Sequence, residues 1–304
     1  PFPEAHGPTD VVKHEGAVGN LRRALEDDHP HKAFLNNLHH LYEKRQKRQR
    51  QQPSSCELVN RLLDWQSSVD HPWAACLNLM DAHFPYEPAA AFARWGGKRL
   101  QRLHDELDRP PANAFIGGRP WWQLRAFESL YDGTIRQLDA ILSDLIKGLK
   151  QANAHDDTFV VITSDHGEGF GEVSQLTNRT RLVAHSWGIG EELTHVPLLV
   201  KDPGQTVRKS IKEPATLTMF PESVKTVVRS DGQDSSFVPD GPVLASTHRL
   251  RAENHLLFEG SEEDADDYYG PWRAVYRIED DEVYKHAKRG DNSITIRIWN
   301  AQHN

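Results

Sequence analysis

Cysteine is nearly missing from this sequence, with only Cys56 and Cys76 among 304 residues. That excludes a disulfide framework and a cysteine-built zinc site, and the two are expected as ordinary buried thiols. Long hydrophobic runs are missing too. None approaches the roughly 18 apolar residues that a membrane helix needs, and no charged-then-apolar leader is visible. A soluble protein is therefore expected, with the cytoplasm favoured. The chain opens at Pro1 and not at a methionine, so a targeting segment could have stood ahead of it. An excess of positive charge is the third absence: 36 Lys and Arg face 44 Asp and Glu, for a net charge of -8. This argues against nucleic acid as a partner. The one basic run, Lys44 to Arg50, reads as a solvated helix end. There is no internal repeat, and oligomeric state leaves no trace.

What is present is an alternation of helical and strand-like patterns. Leu21, Leu25, Phe34, Leu35, Leu38, Leu41 and Tyr42 recur at helical steps within residues 1–52, a helical and irregular lead-in. Pro53-Ser54-Ser55 would cap a helix carrying Leu58, Leu62, Leu63 and Trp65. Trp73 to Met80 is an apolar run of strand length, expected at the centre of a parallel sheet. Leu124 to Leu149 is the clearest helix, with Leu130, Ile135, Leu138, Ile141, Leu142, Leu145 and Ile146 expected on one face. Thr158 to Thr163 and Val196 to Val200 read as two more buried strands. The alternation predicts a parallel α/β core over residues 53–240. Over 241–304 the pattern changes to alternating segments with turns at Asp280-Asp281 and Arg289-Gly290-Asp291, a small antiparallel subdomain.

Three polar turns carry residues suited to chemistry. Asp165-His166 follows the Thr158 to Thr163 strand, and Gly167 permits a tight turn behind it. The pair could offer a carboxylate and an imidazole to Ca2+, Mg2+, Mn2+ or Zn2+, or be a capping Asp followed by a surface His. His83, on the turn after Met80, could protonate a leaving alcohol or hydrogen-bond an anion, or simply be a loop histidine. His185 lies in a glycine-containing loop that could close over an anion, or in an ordinary loop.

The order of these segments resembles the sulfatase family of the alkaline-phosphatase superfamily. Asp81, His83, Pro85 and Tyr86 match its Asp-x-His-x-Pro-Tyr segment, whose His contacts the sulfate. Tyr131 and Asp139 resemble the helix before the metal strand, and VVITSDHGEGFGE resembles the second metal-ligand motif. HSWGIGEELTHVPLLVKDPG is similar to the segment that follows, with His185, Glu191 and Pro197 at the matching positions. Residues 273 to 285 resemble the family's C-terminal strands, so the likeness runs from about 56 to 300.

The resemblance implies part of an alkaline-phosphatase-like three-layer α/β/α sandwich with a small C-terminal antiparallel sheet. It implies a metal-dependent sulfuric ester hydrolase acting on a sulfate-ester small molecule or glycan. Asp165 and His166 would be metal ligands, Ca2+ ahead of Mg2+ or Mn2+, and His83 and His185 would be catalytic. The family's nucleophile is a formylglycine made within Cys-x-Pro-x-Arg or Ser-x-Pro-x-Arg. Cys56 is followed by Glu57-Leu58-Val59-Asn60, so formylglycine is expected in a preceding portion and this chain alone is expected to be inactive. A phosphodiesterase or phosphoglycerol transferase of the same superfamily is the alternative. A non-catalytic remnant serving as a binding module is a third.

Overall fold

The structure, a computed structural model, describes residue 32 and residues 53–107, 110–185, 187–229, 235–247 and 271–298. The expected helix from Leu21 to Gln51 lies outside the described residues apart from Lys32. Contacts divide the chain into Pro1–Leu58 and Val59–Asn304. Ser54, near the end of the first unit, starts helix α1 (Ser55–Ser67), its hydroxyl accepting the Glu57 N–H, and the helix runs on into the second unit.

In the second unit two short helices, α2 (Lys98–Asp105) and α3 (Pro111–Ile116), precede the long helix α4 (Trp121–Gln151). The buried face of α4 carries Leu124, Phe127, Leu130, Thr134, Leu145 and Leu149, at steps of three or four or a sum of them. The helix stops where Asn153 turns left-handed at φ 53, and Ala154 and His155 return their N–H groups to the Leu149 carbonyl. Its N-terminal half anchors a cluster of Tyr86, Phe115, Phe170, Leu182 and Val183, and its C-terminal half packs with Val59, Leu62, Leu63, Trp73 and Leu77.

Strand β1 (Val160–Thr163) pairs with β4 (Leu198–Lys201), and between them lie the hairpin β2 (Gly169–Val173) and β3 (Arg181–Ala184) and the short helix α5 (Glu191–Thr194). Both pairs are antiparallel, where the sequence pattern predicts parallel neighbours. Trp73 to Met80 is neither helix nor strand and joins no ladder among the described residues, and Met80 is 45 % exposed. Both cysteines are exposed, contrary to expectation, because Cys76 belongs to this unpaired run and Cys56 to the first turn of α1.

Helix α6 (Phe220–Arg229) leads to the four-stranded antiparallel sheet β5 (Val243–Ser246), β6 (Arg273–Glu279), β7 (Glu282–Arg289) and β8 (Asn292–Ile298). The expected turns are there. Asp280 and Asp281, at φ 51 and 64, make the doubly left-handed bend that matches the twist of a two-residue hairpin. Among the described residues no helix is long and apolar enough to cross a membrane.

Candidate functional site

The turn after Met80 is pinned from α4. Gln137 donates to Asp81 Oδ1 at 2.6 Å and accepts the Ala89 N–H at 2.8 Å, closing the ends of the segment that presents His83. Within it the His83 N–H reaches the Met80 carbonyl, and Tyr86 turns inward to 1 % exposure. His83 Nδ1 stands 2.6 Å from the Phe84 carbonyl, which can only accept, so Nδ1 carries the proton and Nε2 is left for a ligand.

Tyr86 is seated by a residue the sequence reading did not weigh. Its N–H donates to Nε2 of His104, a ring 2 % exposed among Phe84, Tyr86 and Phe127. His104 must therefore be neutral at Nε2, with the proton on Nδ1, an atom that is buried without a hydrogen-bond partner. Burial holds its pKa below the ordinary value near 6.5, and Asp105 at 3.8 Å only partly opposes this. The unfolded chain thus binds a proton that the folded chain refuses. The contribution is complete above about pH 6.5 and is lost as pH falls from there toward the lowered folded value. Urea midpoints measured between pH 7.5 and 5.5 should drop more steeply for the wild-type chain than for His104→Gln; parallel slopes would refute this assignment.

The second turn joins β1 to β2. His166 donates its backbone N–H to Asp165 Oδ1 at 3.1 Å, and Ser164 Oγ donates to the His166 carbonyl at 2.6 Å. The His166 Nδ1–H donates to the Gly167 carbonyl at 2.8 Å, which fixes the tautomer with Nε2 free, the state a metal ligand needs. Asp165 is 87 % exposed at its side chain, with Oδ1 3.6 Å from that Nε2. Gly167 donates to the Leu193 carbonyl at 2.9 Å.

The third residue, His185, follows Ala184, which is held left-handed at φ 52, a costly conformation for a residue with a Cβ and one found at functional sites. Its ring stacks on His166 with centroids 4.0 Å apart, and lies 5.9 Å from His83. The three histidines form one row, His83, His185, His166. Asp165, His166 and His185 also line a cleft of about 1970 Å3, with Arg208, Tyr276 and Arg297 among its other walls.

The sequence reading missed Glu168. Its side chain is 5 % exposed, Oε2 accepts from His185 Nδ1 at 3.2 Å, and Oε1 is buried with no hydrogen-bond partner. The bond to Glu168 raises the pKa of His185, against the effect of its burial. Burial first, and the Glu168 carboxylate next, push the Tyr86 and Tyr131 hydroxyls above their ordinary values. An unpaired carboxylate oxygen beside two phenols is a costly arrangement, and a cation would relieve it. His166, Glu168 and His185 each offer one donor atom within 4.8 Å of the others, a set that can hold a divalent ion. The signal was in the sequence as a second carboxylate two residues past His166, but nothing in the pattern said which of Glu168 and Glu172 turns inward.

A family model described as Sulfatase matches residues 20–227. The multifunctional alkaline phosphatase superfamily protein PehA of Trinickia caryophylli is 31% identical over 83 residues, 27% of this chain and 15% of that protein. An ulvan-active sulfatase of Formosa agariphila is 25% identical over 187 residues, 61% of this chain and 33% of that protein. The chain thus spans a third or less of the length of these relatives. Among solved structures, the phosphonate monoester hydrolase of Agrobacterium radiobacter is similar with a TM-score of 0.52 and 18% identity, over 81% of this chain and 55% of that one. That likeness establishes the fold, the α/β fold of that hydrolase, here with a C-terminal four-stranded antiparallel sheet.

Proposed function

Since the chain belongs to the sulfatase family, we propose that it carries the metal-holding and anion-contacting part of a sulfuric ester hydrolase. The observation that supports the reading most is the meeting of His83, His166 and His185, which come from three turns separated by 83 and 19 residues.

Asp165 and His166 would hold a divalent ion, with Glu168 supplying the buried carboxylate that faces them. Such an ion would neutralise the oxygens of a sulfate ester and polarise the bond to sulfur. Ca2+ prefers six to eight oxygens, whereas the donors gathered here include imidazole nitrogen, so the reading favours Mn2+ over Ca2+. His185, its pKa raised by the bond to Glu168, would when protonated place positive charge beside the ester oxygens. His83, its Nδ1–H committed to Phe84, would offer Nε2 to the anion or to the departing alcohol oxygen. The 304 residues hold no Cys-x-Pro-x-Arg or Ser-x-Pro-x-Arg string, so the reading assigns the nucleophile to sequence outside them. The substrate would be a sulfated small molecule or glycan.

Calorimetric titration of the 304-residue chain with Mn2+, followed by an aryl sulfate, tests this. Mn2+ is expected to bind reversibly and the ester to bind only to the loaded protein. His83→Ala should weaken the ester by about tenfold or more, the worth of one hydrogen bond to a charged group (~1.5–3 kcal/mol). Ester binding that ignores both Mn2+ and His83 sinks the proposal, and steady hydrolysis by this chain alone would refute the placement of the nucleophile. A second reading, an ester of phosphate or phosphonate, is favoured by the likeness to the phosphonate monoester hydrolase. An aryl phosphonate monoester that binds more tightly than the aryl sulfate under the same conditions would decide for it.

A further inference from the structure

The segment that carries His185 is held from behind by a residue a hundred positions later. It leaves β3, passes Ile189 and enters α5 at Glu191. Lys285, from the middle of β7, meets it with a side chain only 1 % exposed. The ammonium donates to the Ile189 carbonyl and, at 2.8 Å, to Glu191 Oε1, and stands 5.1 Å over the Tyr276 ring. Tyr276 lies opposite Lys285 across the β6–β7 ladder. Its hydroxyl donates to the same Glu191 oxygen at 2.9 Å and lies 3.0 Å from Thr194 Oγ1. Beside them Ile189 packs with Trp272, Ala274 and Ala287 of the C-terminal sheet.

A buried ammonium is costly unless its protons find acceptors, and this one finds them on a single short segment. The far end of that segment is Leu193, whose carbonyl takes the Gly167 N–H. A clamp on Ile189 and Glu191 therefore acts on both sides of the histidine row. It holds the stretch that presents His185, and it backs the turn that presents His166. Lys201 offers a contrast. It also donates to backbone carbonyls, those of His155, Asp156 and Thr158, but these lie at the end of β1 away from Asp165.

We propose that Lys285 is a positioning residue of the site, fixing residues 187–193 so that His185 and the Gly167 turn keep their places. The proposal rests on reading His166, Glu168 and His185 as the working cluster. Three readouts on the 304-residue chain test it: Mn2+ affinity, the imidazole NMR resonances of His166 and His185, and the exchange rate of the Gly167 amide. In Lys285→Met the dissociation constant for Mn2+ should rise about tenfold or more, within the range that lost outer contacts cost a metal site. Both imidazole signals should move and the Gly167 amide should exchange faster. Lys201→Met, which removes a clamp remote from the row, should lower the unfolding temperature and leave all three readouts unchanged. Unmoved signals and unchanged affinity in folded Lys285→Met, or the same changes in Lys201→Met, would overturn the proposal. If the wild-type chain binds no Mn2+, the metal reading fails by itself, and the NMR signals alone decide the role of Lys285. If Lys285→Met does not fold, Glu191→Gln removes the partner's charge at constant size and is held to the same two outcomes.

Discussion

Gly167→Ala is expected to disable metal binding by this chain, with the Mn2+ dissociation constant rising on the order of 100-fold, the upper end for loss of a supporting contact. The reason is close approach rather than a left-handed backbone. A Cβ on Gly167 would lie 1.9 Å from the Glu192 carbonyl oxygen and 2.9 Å from its carbon, a position no real methyl group occupies. Both obstacles are backbone, so no side chain can swing aside. Either the turn moves outward or residues 191–194 retreat. In both cases the bond from Gly167 to Leu193 parts, and His166 leaves its stack with His185. Overpacking of this kind costs about 1–3 kcal/mol of stability as well. Gly97→Ala is the fitting control, because nothing lies within 4 Å of its added Cβ. Calorimetry and thermal unfolding of the two variants check this; a Gly167→Ala chain that binds Mn2+ as the wild type does would show that the approach of residues 191–194 is not required.

The same local tightness explains what could and could not be read from sequence. The α4 helix was legible because its buried residues repeat at helical steps over 31 residues, a signal that a single long face writes plainly. The β6–β7 and β7–β8 turns were legible because Asp-Asp and Gly-Asp tolerate the left-handed backbone a hairpin requires. Strand partners were not. An apolar run such as Trp73 to Met80 declares that it tolerates burial, not what it lies against, and among the described residues it has no ladder partner. The direction of β1 and β4 escaped for a like reason, since a four-residue strand with three half-buried positions looks the same in either orientation. At the site, the turns bearing His83, Asp165, His166 and His185 were each named, and the structure brings His83, His166 and His185 together. Residues whose role is to hold those turns, Gln137, His104 and Lys285, carried no signal. Their partners are backbone atoms or residues 18 to 96 positions away, and no local pattern encodes a distant carbonyl.

Glu168→Gln separates two roles that the buried carboxylate could play, because its effect on stability should differ with and without metal. In the metal-free chain Glu168 Oε2 accepts from His185, and Oε1 has no hydrogen-bond partner. Replacing the carboxylate by a neutral amide of the same shape removes both the charge on the unpaired Oε1 and the pair with His185, effects of opposite sign, so the unfolding midpoint should change little. With Mn2+ the two chains separate. A ligand present at 100 times its dissociation constant stabilises the folded state by about 2.7 kcal/mol, and a 100-fold weaker site would keep only ~0.4 kcal/mol at the same concentration. Wild type should therefore gain several degrees on addition of Mn2+, and Glu168→Gln almost none, a divergence that simple destabilisation cannot produce. If Glu168 only orients His185, the variant would lose affinity for the aryl sulfate yet keep the full gain from Mn2+. Thermal unfolding with and without the ion decides between a ligand and an orienting partner, and an undiminished gain in the variant removes Glu168 from the metal site.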